Sequence, residues 1–264
     1  MFSKRIRILA VILSIALLSA CGTGGKNVGT SDGKMKTYTV ATDSNFKPFE
    51  YKNSKTGEME GFDIDLIKEI AKRAKFKVKF ESMQFDGLIA GMKSGRYPMG
   101  IAGISITDDR KKSIAFSDPY YDSGIVLMVS NESEIHSIDD VDGKKIGTRQ
   151  GSTSQAYLKD KTNAKVEAFP EIVNAYMDVK TGRLDAAFYD LPNVLFFIKQ
   201  QGNGKVKTTG DVLEGQSYGI AFPKNSDLVD DVNAALKEII EDGTYAKIYK
   251  KYFGVEPSEK WRGK

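Results

Sequence analysis

At 264 residues, with 39 basic and 35 acidic side chains, the chain carries a formal charge of +4. Three of the basic groups lie in residues 1–20, which hold no acid. The remainder is near neutral, 36 basic against 35 acidic, and gives no electrostatic footprint for nucleic acid. A single cysteine excludes an internal disulfide, and a single histidine, His136, argues against a metal cage and reads as a solvated loop residue.

In chain order, Lys4, Arg5 and Arg7 precede an apolar run, Ile8–Leu18, that ends in Leu18-Ser19-Ala20-Cys21-Gly22. A basic end, a short apolar core and small residues at a cleavage site predict an export signal over residues 1–20. The run is too short to be a permanent membrane span. Gly22–Lys36 is polar and glycine-rich and reads as a flexible tether, within a segment taken as 21–36. Tyr38–Thr42 is a strand. Phe62–Ala74 is a helix with Ile64, Ile67, Ile70, Ala71 and Ala74 on one face. Phe76–Phe80 is a half-buried strand, Phe85–Met92 a helix stopping at Gly95, and Met99–Ile104 an apolar strand. The alternation argues for a sheet of mainly parallel strands flanked by helices.

The rhythm then repeats. Strands are expected at Ile125–Val129, Lys144–Thr148, Val166–Phe169, Leu184–Tyr189 and Tyr218–Phe222. Helices are expected at Thr153–Lys159, Glu171–Lys180 and Asn193–Gln200, with another from near Ser226 to Gly243. The simplest reading is two α/β halves. The pattern does not say which strands cross between them.

No catalytic constellation stands out: there is no Gly-x-Ser-x-Gly, no phosphate-binding glycine loop and no cysteine–histidine pair. Polar residues do collect at strand-to-helix turns, where open α/β sheets bind ligands. They are Asp43 to Phe46, Gly103 to Ser105 with Thr107 to Arg110, Arg149 to Thr153, and Tyr189-Asp190. Each has a plain alternative: Asp43 an Asx turn, Arg110 part of a solvated charge run, Arg149–Thr153 a glycine turn, Asp190 a helix N-cap, and Phe46 and Phe85 ordinary core. Together they suit a free α-amino acid. A carboxylate calls for the forked guanidinium of Arg110 and for N–H groups at a helix start near Thr153. An ammonium group calls for Asp190 and the carbonyls of the Gly103–Ser105 segment. Phe46 and Phe85 suit the aliphatic stem.

The residues around Cys21 resemble the bacterial lipobox, whose cysteine is lipidated. From Tyr38 to about Pro257 the chain resembles the extracytoplasmic solute-binding proteins of polar amino-acid ABC importers, the glutamine-binding ones in particular. The stretches that carry this include Val40-Ala41-Thr42-Asp43, Pro48-Phe49-Glu50, Gly61 to Leu66, Ala102 to Thr107, Arg110-Lys111-Lys112, Phe116 to Tyr121, Asn174 to Met177, and Tyr218 to Pro223. The resemblance implies a two-lobed type II periplasmic-binding-protein fold. Lobe one is residues 37–126 plus 219–258, lobe two 127–218, and 259–264 a tail. The hinge crossings fall near Ile125–Ser130 and Gln216–Phe222.

It also implies roles. Arg110, helped by Ser105, holds the α-carboxylate. Asp190 and the Gly103 carbonyl hold the α-ammonium, and Phe46 and Phe85 flank the stem. Asp43 and Arg149 read the side-chain end. This chain has Arg149, Tyr189, Thr153 and Ser105 where glutamine-binding relatives carry Lys, His, Gly and Thr. An amide offers an acceptor to Arg149 and a donor to Asp43, so glutamine fits best. Glutamate, asparagine and histidine follow, with arginine disfavoured by Arg149. The expected partners are a free amino acid, an ABC permease and, through Cys21, the membrane, for a monomer with no cofactor and no metal. A dehydratase-type enzyme on the same fold is the weaker alternative, since no general acid is evident. A receptor's sensing domain is another, with no membrane span or signalling domain read after Lys264.

Overall fold

The computed structural model describes Met35–Gly263; the export signal, nearly all of the tether and Cys21 lie outside the described residues. Strand β1 (Thr37–Thr42) leads into a small antiparallel meander of β2 (Asn45–Phe46), β3 (Glu50–Lys52) and β4 (Met59–Glu60). Helix α1 (Phe62–Arg73) follows. It has Asp63 and Asp65 in its first turn and Lys72 and Arg73 in its last, an order that suits the helix dipole. Next come β5 (Lys77–Ser82), α2 (Phe85–Lys93), β6 (Met99–Gly100), the short α3 (Asp108–Lys111) and β7 (Ile114–Phe116).

The long β8 (Tyr121–Ser130) opens the second half. It is followed by β9 (Lys145–Arg149), α4 (Thr153–Lys161), β10 (Lys165–Phe169), α5 (Ile172–Lys180), β11 (Ala186–Asp190) and α6 (Leu191–Gln201). Strand β12 (Val206–Tyr218) returns the chain to β13 (Ala221–Pro223), α7 (Leu228–Glu241) and α8 (Thr244–Phe253).

There are two five-stranded sheets, β5-β1-β6-β13-β7 and β10-β9-β11-β8-β12. In each, the first three strands run parallel and the fourth, β13 or β8, is reversed. The mainly parallel sheets and flanking helices match the expected two-sheet α/β fold. Strands β8 and β12 form an antiparallel ribbon from Ser130/Val206 to Tyr121/Tyr218. Its far end touches the first half: Tyr120 N–H donates to the Tyr218 carbonyl and Ile106 N–H to that of Ser217.

The three central strands of the second sheet, β9, β11 and β8, are buried on both faces, while the edge strands β10 and β12 are largely exposed. On β8, Ile125, Leu127 and Val129 point into a cluster with Ile146, Leu158 and Phe188; Val126 and Met128 point the other way. In the first half Phe62, Leu66 and Ile70 of α1 pack with Val232, Leu236 and Ile239 of α7. Full burial of each such side chain contributes roughly 1.5–3 kcal/mol.

Several elements differ from expectation. The strand expected over Met99–Ile104 ends at Gly100, because Gly103 takes a left-handed φ of +53° and the chain leaves the sheet. The strand expected at Tyr218–Phe222 is interrupted at Gly219, where a Cβ would come within 2.8 Å of Ile106. Most of β12 is unanticipated. Its sequence is polar, with Gly210 and Gly215, and pairing at the sheet edge rather than alternation holds it. Helix α8 lies between two left-handed glycines, Gly243 and Gly254, and was also not anticipated. The stretch expected as a tail forms a turn at Glu259–Trp261, where Trp261 stacks on Tyr245 with ring centroids 5.5 Å apart.

Candidate functional site

The residues singled out at the strand-to-helix turns converge between the two sheets. Asp43 follows β1 and Arg149 ends β9, so each stands at the carboxyl end of a parallel strand. Both side chains are about 1% exposed, and Arg149 Nη2 donates to Asp43 Oδ2. Arg149 Nε is buried with no partner. Burial works against the Arg149 charge, but Tyr189 and Asp43 more than offset it, so its pKa lies above the usual arginine value. The Asx-turn alternative for Asp43 also holds in part, since Oδ1 accepts from Ser44 N–H at 2.5 Å.

Arg110 sits on α3, which starts at Thr107; the Thr107 hydroxyl accepts from Arg110 N–H at 3.2 Å. The charge-run alternative fails for this residue, because Arg110 is only 7% exposed. Its Nη1 donates to the Ser105 carbonyl at 2.9 Å and its Nη2 to the Gly151 carbonyl, in the other half, at 3.3 Å. Burial pushes its pKa down to about 10, against the opposing pull of Asp190, Tyr189 and Asp109. Both guanidinium groups lie over the Phe85 ring, with Arg110 Cζ 5.4 Å and Arg149 Cζ 5.1 Å from its centroid.

Asp190 ends β11 at the N-cap position of α6, yet its side chain makes no cap bond. Instead Oδ2 accepts from the Tyr218 hydroxyl at 2.5 Å. Burial pushes its pKa up to about 6, opposed by Tyr218, Arg110 and Arg149. Phe46 is buried, stacked on Phe49 at 5.1 Å and edge-on to Tyr189 at 5.9 Å. Gly103 fits against it: a Cβ there would stand 2.3 Å from Phe46 Cε1. Ser105 is buried and bridges to Tyr218. Thr153 is half-buried at the start of α4, whose N-cap Ser152 accepts from Gln155 N–H at 3.1 Å. A cavity of about 340 Å³ opens beside Arg110 and this helix start, between the halves.

Three further bonds cross between the halves: Asn45 to Glu171 at 3.0 Å, Gln150 to Asp86 at 2.7 Å, and Asn193 to the Lys47 carbonyl at 2.6 Å. The halves are thus drawn together over the site. Sequence reasoning missed Tyr218, the partner of Asp190, and the Gly151 carbonyl, the partner of Arg110. Tyr218 lies at none of the flagged turns, and Gly151, inside the Arg149–Thr153 turn, acts through a carbonyl that side-chain chemistry does not reveal. Among the described residues, no group of His, Cys, Asp and Glu is placed to hold a metal, and no helix is long and apolar enough to cross a membrane.

This arrangement sets two buried arginines and two buried aspartates between the two sheets. Residues 38–255 match the bacterial extracellular solute-binding proteins, family 3. The chain belongs to this family. The L-cystine-binding protein TcyA of Bacillus subtilis is 37% identical over 97% of this chain and 99% of its own length. The ABC transporter glutamine-binding protein GlnH of the same organism is 34% identical over 97% and 100%. A solved structure of an ancestral arginine-binding protein bound to glutamine superposes with a TM-score of 0.78. It is 42% identical and covers 84% of this chain and 100% of its own. All three relatives are named as binding proteins, each for an amino acid. As a member of this family the chain is an extracytoplasmic solute-binding protein of the amino-acid ABC importer class.

Proposed function

We propose that this protein captures a free polar amino acid, L-glutamine before others, in the cleft between its halves and delivers it to an ABC permease. The observation that carries the reading is the pattern of four buried charges. Arg110 and Asp190 make no ion pair with each other and suit an α-carboxylate and an α-ammonium. Ser105 and the N–H groups near Thr153 would assist the first, and the Gly103 carbonyl the second. Phe46 and Phe85 would flank the stem.

Asp43 and Arg149 cancel one another. A neutral amide can accept from Arg149 and donate to Asp43 without leaving net charge in a closed, low-dielectric cleft. A cationic side chain would face Arg149, and an anionic one Asp43. The same pair favours a second reading, L-cystine. Its second carboxylate and second ammonium would repeat at Arg149 and Asp43 what the first pair does at Arg110 and Asp190. TcyA, a cystine-binding relative, supports keeping it.

The lobes would be residues 37–126 plus 219–258 and residues 127–218, closing about two hinge strands. A lipid on Cys21 would tether a monomeric body to the membrane. The test is a thermal-shift screen of the purified protein against the twenty amino acids and L-cystine, followed by titration calorimetry. Glutamine is expected to give the largest shift, and the ligand to be recovered unchanged. Arginine or lysine binding more tightly than glutamine would overturn the glutamine reading, and a dominant cystine response would replace it with the second. Chemical turnover would overturn the binding function.

A further inference from the structure

Behind the cleft, Glu50 and Asp63 are both fully buried, and the roles above use neither. Gly61 brings them together. Its φ is +132°, and a Cβ there would stand 2.0 Å from the Phe49 carbonyl oxygen and 2.9 Å from Glu50 Cα. Glycine lets α1 begin against the meander, so Asp63 in the first helical turn meets Glu50 at the start of β3. Asp63 Oδ2 accepts from Gly103 N–H at 2.9 Å and from the Tyr120 hydroxyl at 2.8 Å. Its Oδ1 and both Glu50 oxygens find no donor. The two carboxyl groups act on each other's pKa as hydrogen-bond partners. As carboxylates they satisfy nothing, because each is only an acceptor and buried like charges repel. One proton between them removes both costs.

We propose that Glu50 is a protonated carboxylic acid that donates to Asp63 Oδ1, and that this pair is the positioning device for the Gly103 segment of the cleft. The inference rests on the reading of Gly103 as part of the ligand site. The proton belongs on Glu50 because Asp63 has two other donors and the helix N-terminus to favour its charge, and Glu50 has neither. Burial pushes Glu50 well above the usual carboxyl range, with the Asp63 and Asp43 charges adding to it and Arg149 opposing. Burial also raises Asp63 to about 6, with its bonds to Gly103, Tyr120 and Glu50 opposing. Tyr120, which donates to Asp63, and Tyr121 and Tyr245, which feel its charge, stay neutral, their hydroxyls pushed up mainly by burial. At neutral pH, then, Asp63 is ionised and Glu50 is not.

Three readouts test the pair. Infrared spectra of the ligand-free protein at neutral pH should show the carbonyl band of a protonated carboxylic acid, and Glu50→Gln should remove it. The Gly103 amide should exchange slowly by NMR in the wild type and in Glu50→Gln, which keeps a donor, and at least about tenfold faster in Asp63→Asn. Titrated with L-glutamine, Glu50→Gln should stay within about twofold of wild type, while Glu50→Ala and Asp63→Asn should bind about tenfold more weakly. Wild-type affinity should decline as alkaline pH ionises Glu50, and the Glu50→Gln profile should be flat there. No band dependent on Glu50, Glu50→Gln as weak as Glu50→Ala, or unchanged Gly103 exchange in Asp63→Asn would each overturn the proposal. If glutamine does not bind the wild type, the glutamine reading falls, and the infrared and exchange results still decide the pair.

Discussion

At one end of the cleft Arg110 donates to two backbone carbonyls and Asp190 accepts from a tyrosine hydroxyl; at the other, Asp43 and Arg149 hold each other. The same residue types meet the same burial with opposite results. Burial moves Arg110 down to about 10 and Asp190 up to about 6, both toward neutrality, which marks charges awaiting counter-charges. Arg149, with its partner in place, moves the other way. On the proposed reading, the first end would gain from a zwitterion, and the second, already compensated, would discriminate among side chains. General affinity and selectivity would then be properties of different ends.

Variants that cut one end at a time test this division. Arg149→Ala should have the largest effect, a loss of about 3–5 kcal/mol of folding stability, because it leaves Asp43 buried without its partner. Calorimetric ranking of ligands should then shift toward cationic amino acids; an unchanged ranking would remove Arg149 from the selective end. Arg110→Ala should cost about 2–5 kcal/mol of binding for any amino acid, with little change in ranking. Near-normal affinity in that variant would collapse the distinction between the ends. Gly103→Ala should lower stability by about 1–3 kcal/mol, read in urea unfolding, since it strains a left-handed backbone and drives a Cβ into Phe46.

The smallest effect is the pH dependence of the first end. Free Asp190, near pKa 6, must be ionised to hold an ammonium, and the bound ammonium lowers its pKa. Binding below that pH therefore releases a proton. Affinity should rise with pH up to about 6 and level off above, at most about tenfold per unit. Asp190→Asn should bind weakly and lack this slope.

Much of this was legible in the chain. Helices α1, α2, α5 and α7 announce themselves by apolar residues at helical spacing, and the short apolar strands by their turns. Asp43, Arg110, Arg149 and Asp190 are buried between the two sheets, because a strand's carboxyl end is a topological position that a strand-then-helix pattern already implies, whereas Asp108 and Asp109, flagged beside Arg110, stay in solvent. Strand β12 escaped, since an edge strand is held by its neighbour's backbone and needs no alternation of its own. Helix α8 escaped in a stretch where aromatic side chains meet lysines at nearly every step. The meander of β2 to β4 is too short for any period to show.

By itself, the sequence determined the alternation of the main strands and helices, the near-neutral charge of the body and the residue types available for a zwitterion. These depend on local spacing and composition, which neighbours along the chain record. Only the tertiary structure decided the pairings: Asp43 with Arg149 across 106 positions, Gly103 with Asp63 across 40, and Tyr218 with Asp190 across 28. A buried carboxylate must find a donor or a proton, and which it finds depends on what the fold brings within 3 Å. No spacing along the chain encodes that distance.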